Sequence, residues 1–139
     1  MKLSKRDLMV LGAALYAGEG SKVRKDNRGR MHYSIEFTNS EPRIISSFLA
    51  FLRSNFNVVE DRIKAELFIY AYHDELKVVN FWSKVTGIPI SRFNKVIHLT
   101  QTSGRFKPSV YGTMKIRYHH KEHFLKLQSI IDGVLGGVT

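Results

Sequence analysis

Cysteine is absent from this chain of 139 residues, which removes disulfide frameworks, thiolate zinc sites and cysteine nucleophiles from its chemistry. Proline is scarce, with three residues, and the ten glycines are scattered or sit at turn-like places. No linker, low-complexity tract or internal repeat divides the chain, so a single domain over residues 1–139 is expected. Long apolar runs are missing too. The uncharged stretch Leu8–Ala17 has ten residues, where a bilayer-spanning helix needs about 20. It follows a basic start, MKLSKR, as the core of a signal peptide would. Glu19 and a basic, glycine-containing segment come directly after the place of cleavage, which argues against one. The expected setting is cytoplasmic, with no membrane partner. Also lacking are an HExxH motif, a Ser-His-Asp set, a phosphate-binding glycine-rich loop and a dinucleotide fingerprint.

Acidic residues are few. Twelve Asp and Glu stand against 22 Lys and Arg, giving a formal charge of +10 and a pI of about 10. Hydrophobic residues make up 43% and charged residues 24%, values that suit a packed core and exclude a large disordered region. So basic a small domain points to a polyanionic partner. Whether the cations form a surface or a general scatter depends on their positions along the chain.

Ser4, with Asp7 three residues on, starts a helix by a capping box. The helix then reads apolar on all sides, which predicts burial against something on every face. Gly12, Ala13 and Ala17 are small, with Ala13 and Ala17 four apart. With Tyr16 they form the expected interface for a second copy of the same helix about a two-fold axis. The helix is expected to end near Gly18 or Gly20. Glu19 then sits at a helix C-terminus, where a negative charge is unfavourable. Two such helices paired in parallel bring two carboxylates together, an arrangement that calls for a cation between them.

Ser21–Arg30, SKVRKDNRGR, holds five basic residues around turn signals at Asp26, Asn27 and Gly29. It reads as a strand, a basic loop and a strand. From Met31 to Thr38 the pattern alternates: Met31, Tyr33, Ile35 and Phe37 toward a core, and His32, Ser34, Glu36 and Thr38 toward solvent. Asn39-Ser40-Glu41-Pro42 opens an amphipathic helix. A strand over 63–72 follows, with Lys64, Glu66, Tyr70 and Tyr72 on one face. A helix capped by Asp74 runs to Gly87, and two strands flank a loop over 102–108 that carries Arg105 and Lys107. In the second of these strands Thr113, Lys115, Arg117 and His119 share the polar face. A last helix covers 121–135. The order α-β-β-α-β-α-β-β-α predicts an α+β fold, a curved antiparallel sheet with helices on one side and a basic face on the other. Such a face suits a nucleic-acid groove, with the hairpin loops on phosphates.

The segment Ala13–Ser21, AALYAGEGS, resembles the motif of the LAGLIDADG homing endonuclease family. The resemblance is clear over residues 8–56, weaker to about residue 92, and returns over 112–135. It implies a helix that packs against its two-fold mate and delivers an acidic metal ligand at its end. One copy of the motif is present, which in that family means a homodimer. The resemblance further implies Mg²⁺ bound by Glu19 (where Asp is commoner), Asn39 orienting solvent and Arg43 steadying the scissile phosphate. Lys115 would assist the attacking water or the transition-state charge. Contacts to double-stranded DNA are then expected from Lys22, Arg24, Lys25, Arg28, Arg30, His32, Ser34, Glu36, Tyr70, Tyr72, Arg105, Lys107, Thr113 and Arg117.

The plainer readings stay open beside these. Glu19 can be an exposed helix-end residue, Asn39 a helix cap, and Arg43 and Lys115 simple phosphate contacts. Tyr70 and Tyr72 also suit sheet packing. His119 and His123, four apart beside His120, invite a zinc reading that lacks a third ligand of suitable spacing. A site-specific, Mg²⁺-dependent DNA endonuclease is the expected function. The alternatives are a DNA-binding regulator on the same scaffold that does not cut, or an RNA-binding splicing factor.

Overall fold

Each helix begins where a side chain accepts amides that the first turn leaves without partners. At Lys5–Glu19 (α1) Ser4 Oγ accepts from the Asp7 amide at 3.1 Å, and Asp7 Oδ2 accepts from the Ser4 amide at 2.9 Å. Glu41 caps Pro42–Asn55 (α2) through the Arg43 amide, and Asp74 caps Glu75–Thr86 (α3) through the Lys77 amide. His120 Nδ1 accepts from the His123 amide at the head of Lys121–Gly136 (α4). α3 stops on Gly87, whose φ of 71° is the left-handed conformation that glycine adopts without steric cost.

The computed structural model describes residues 1–100 and 109–138. Within them the strands are Arg24–Lys25 (β1), Met31–His32 (β2), Ser34–Asn39 (β3), Ile63–Tyr70 (β4), Phe93–Leu99 (β5) and Thr113–His119 (β6). β1 and β2 pair as a small antiparallel hairpin. The other four strands form a sheet in the order β3-β6-β4-β5. The fold is α+β, with four helices and a mixed sheet, and the stretch expected as one strand over 31–38 is divided at Tyr33 into β2 and β3. The sheet is mixed, which corrects the expectation of an antiparallel one. β3–β6 and β6–β4 are antiparallel, but β4 and β5 run parallel because α3 carries the chain back before β5 begins.

Register decides which residues share a face. Ile35, Tyr118 and Ile63 lie in one row, Phe37, Ile116 and Ala65 in the next, and Met114 with Leu67 beyond. All are buried. Ala13 and Tyr16 of α1, Ile45, Phe48, Leu49, Phe51 and Leu52 of α2, and Phe124, Leu127 and Ile131 of α4 complete the same core. Phe37 and Phe48 stack at 4.3 Å between centroids, and Tyr16 stacks on Phe48 at 5.6 Å. Met31, expected in the core, is exposed. Its strand leaves the sheet at Tyr33, so the alternation there serves the hairpin and not the core.

Within one chain α1 is covered on one side only. Gly12, Ala13 and Tyr16 face inward and are buried within the chain, where α1 packs on α2 and α4. They are not available to a second copy. A Cβ on Gly12 would lie 2.0 Å from Phe51 Cγ, so the missing side chain lets α2 approach closely. Val10, Ala14, Ala17 and Gly18 remain exposed on the outer side, and of the four residues expected at an interface only Ala17 lies there. Gly12→Ala will therefore lower stability by about 1–3 kcal/mol through overpacking against a fully buried ring. Gly18→Ala, with no atom within 4 Å of the new Cβ, will leave stability unchanged or raise it by up to about 1 kcal/mol through helix propensity. Denaturant midpoints of the two variants check this.

Candidate nucleic-acid interface

The end of α1 is fastened to β3. The Tyr16 hydroxyl donates to the Ser21 carbonyl at 2.5 Å and accepts from the Glu36 amide at 3.2 Å. The Ser21 amide donates to the Glu36 carbonyl at 3.0 Å, and Gly20 bridges Phe37. Burial pushes the Tyr16 phenol up to about 12, so it keeps its proton and its donor role at neutral pH. Gly20 is extended, at φ −76° and ψ 156°, a conformation open to any residue. What requires glycine there is space: a Cβ would lie 2.3 Å from the Tyr16 ring.

This fastening sets Glu19 beside the end of β3. Asn39 Nδ2 donates to Glu19 Oε2 at 2.6 Å, while Asn39 Oδ1 accepts from the Glu41 amide at 2.8 Å. With both ends of its amide committed, Asn39 orients the carboxylate. The helix cap is Glu41, so Asn39 is not the cap. Glu19 is exposed, and among the described residues no donor is found for its other oxygen, Oε1. No three His, Asp or Glu side chains of the described residues gather as a metal-binding group. Mg²⁺ takes one or two carboxylates and fills its remaining positions with water and phosphate oxygens. Glu19 offers one carboxylate to such a coordination set, which is fewer protein ligands than a site with two carboxylates has.

The face of the sheet opposite the helices carries charge on Glu36, Lys64, Glu66, Lys95, Lys115 and Arg117. Pairing places Glu36, Arg117 and Lys64 in one row and Thr38, Lys115, Glu66 and Lys95 in the next. Glu36 is 2% exposed. Lys115 Nζ lies 2.8 Å from its Oε1, Arg24 Nη2 lies 3.0 Å from its Oε2, and Arg117 Nη2 is 3.7 Å away. Arg117 also pairs with the buried Glu66 at 3.2 Å. Burial by itself would raise the Glu36 carboxyl; the charges of Lys115, Arg117 and Arg24 outweigh it and hold the group below the usual carboxylate range. Five cations, Arg24, Lys64, Lys95, Lys115 and Arg117, thus meet two carboxylates, and the face is net positive.

The expected polar face of β3 is only partly solvated. Ser34 and Glu36, expected to contact DNA, are buried at 8% and 2% exposure, and Arg24 of the β1–β2 hairpin pairs with Glu36. Neither is placed to touch a base. Lys22, Arg24, Lys25, Arg28 and Arg30 are exposed as expected, and His32 is half-buried. The hairpin is organised by Asp26, which accepts from the Arg28 and Arg30 amides at 2.9 Å and pairs with His32 at 2.9 Å. Thr113 is half-buried on the basic face opposite Phe68. Tyr70 and Tyr72 stack in parallel at 5.9 Å. Tyr72 lies in the turn beyond β4 and is 58% exposed. Arg43 is 90% exposed and pairs with Glu41 at 2.8 Å; it does not join Glu19. Arg105 and Lys107 lie outside the described residues. Lys64 and Lys95 belong to the basic face without having been assigned to it. The alternation of β4 signals Lys64, whereas β5 has no clean period two that would pick out Lys95.

Tyr16→Phe removes both bonds of the fastening and strands a carbonyl and an amide; thermal or denaturant unfolding will show a loss of about 1–3 kcal/mol. Asp26 titrates below its ordinary range because of its hydrogen bond from His32 and those from the Arg30 and Arg28 amides. A depressed carboxyl contributes stability above its unfolded value and loses it as pH falls through the folded one. The hairpin will accordingly open below about pH 4, read as loss of exchange protection at the Arg28 and Arg30 amides. Asp26→Asn will remove most of that pH dependence.

Compared with protein-family models, curated proteins and solved structures, the chain matches none of them.

Proposed function

We propose that two copies of this chain bind double-stranded DNA across their basic sheet faces and hydrolyse its phosphodiester bonds with Mg²⁺ held at Glu19. The observation that carries this reading is one exposed carboxylate at the end of α1, held by Asn39 at the end of β3, the strand that also contributes Glu36 and Thr38 to the cationic rows of the sheet. A carboxylate at a helix C-terminus is locally unfavourable, and Asn39 spends its amide on holding it there. Departures of this kind from local stability mark functional positions.

When bound, Mg²⁺ supplies Lewis-acid stabilisation of the phosphate and a more acidic water. The chain's own residues do the rest. Asn39 fixes the Glu19 carboxylate, and the Tyr16 fastening fixes the backbone that carries it. Lys115, opposite Thr38 on the charged face of the sheet, is the cation assigned to offset charge on the phosphate. Lys22, Lys25, Arg28 and Arg30 bring the hairpin onto the phosphate backbone. The outer side of α1, with Val10, Ala14, Ala17 and Gly18, leaves room for the second copy at the end nearest Glu19.

A second reading is a DNA-binding protein on the same scaffold that does not cut. It is favoured by the engagement of Lys115 with Glu36 and of Arg43 with Glu41, which leaves neither cation paired with Glu19. Incubation of the protein with a plasmid library and Mg²⁺ separates the two. The endonuclease reading predicts Mg²⁺-dependent cutting that Glu19→Gln abolishes and Asn39→Ala slows by about 10–100-fold. Tight, salt-sensitive binding to duplex DNA with no cutting of any substrate supports the second reading. Preference for structured RNA over duplex DNA overturns both.

A further inference from the structure

The basic face carries a charge that a polyanion-binding surface has no evident use for. Glu36 is a carboxylate, 2% exposed, at the centre of the cations that would meet DNA. A buried charge is retained only where partners compensate it, and here Lys115, Arg24 and Arg117 all do so. A neutral residue at position 36 would leave the same face with one more net positive charge. Its approach to Lys115 Nζ, at 2.8 Å, lacks hydrogen-bond alignment and is ionic. The Arg117 Nε and the Ser34 Oγ beside it are buried without hydrogen-bond partners. This cluster has no apolar alternative built into it, and it spans three elements: the hairpin through Arg24, β3 through Glu36 and β6 through Lys115 and Arg117.

We infer that Glu36 is a specificity-determining and positioning residue: it holds Lys115, Arg24 and Arg117 in a fixed array and offsets part of their charge, which lowers sequence-independent phosphate attraction. The inference rests on the reading of this face as a DNA surface. Non-specific affinity comes from cations that displace condensed counterions, each phosphate contact adding about 0.9 to the slope of log affinity against log salt. Cations that share a buried carboxylate displace fewer counterions than the same cations would unpaired. The exposed hairpin cations Lys22, Lys25, Arg28 and Arg30 then carry non-specific attraction. The array at Glu36 engages only a duplex whose groove and phosphates fit its geometry.

The test is the salt dependence of binding to a short random-sequence duplex. Glu36→Gln keeps the shape and removes the charge. It will steepen the slope by about 0.9–1.8 and tighten non-specific binding roughly 3–10-fold at low salt. A residue of merely structural importance would weaken binding when replaced, so a gain is diagnostic. Should Glu36→Gln fail to fold, Glu36→Ser, which removes the charge with a smaller polar group, gives the answer: it too will steepen the slope, whereas Lys25→Gln lowers it by about 0.9. An unchanged or shallower slope in a folded Glu36→Gln or Glu36→Ser overturns the inference. Absence of salt-dependent binding by the native protein overturns instead the DNA reading on which it rests.

Discussion

The Tyr16 hydroxyl is the joint on which the rest of the molecule depends. It sits in the core, stacked on Phe48, and reaches out to bond both the Ser21 carbonyl and the Glu36 amide. One side chain thereby ends a helix, starts the path of the next segment and aligns that segment with the sheet. Gly20 is small because the ring lies on it. Glu19, one residue before, is carried to the edge of β3, where Asn39 receives it. The position of the carboxylate is thus fixed by the core, not by a surface loop, as precise placement of a reactive group requires.

A second constraint is electrostatic. The sheet turns its apolar rows toward the helices and its charged rows outward, and the charged rows are not uniformly positive. Glu36 and Glu66 are buried among Arg24, Lys115 and Arg117. Attraction for a polyanion and order within the face pull in opposite directions: free lysines bind any phosphate, while paired ones hold a shape. Arg24, Lys115 and Arg117 are the paired cations, whereas Lys22, Lys25, Arg28 and Arg30 in and beside the β1–β2 hairpin are exposed.

Much of this was legible in the sequence, because the elements announce themselves locally. The Ser4–Asp7 box, the Asp74 cap and the Gly87 stop set helix ends, and period-two alternation set the buried faces of β4 and β6. The pairing of Glu19 with Asn39 was anticipated as a neighbourhood, though not as a hydrogen bond that occupies the Asn39 amide. What failed to show were properties of tertiary contact. The parallel pairing of β4 and β5 depends on where α3 sends the chain. The inward turn of Gly12, Ala13 and Tyr16 depends on α2 and α4 covering α1. Glu36 is buried, and Arg24 pairs with it from a separate hairpin. In a sequence, a glutamate facing away from the core reads as solvated, and nothing within its own strand says that a neighbour will cover it.

The central claim is that the end of α1 delivers half of a divalent-cation site to a DNA surface. Crystals of the protein with duplex DNA and Mn²⁺ in place of Mg²⁺ test it most directly, through the anomalous signal of the metal. The account predicts a peak in coordination contact with the Glu19 carboxylates of two copies and with a phosphate oxygen, the two α1 helices meeting along Val10, Ala14 and Ala17. Metal bound away from Glu19, or DNA lying on a face other than that of Lys64, Lys115 and Arg117, would contradict it.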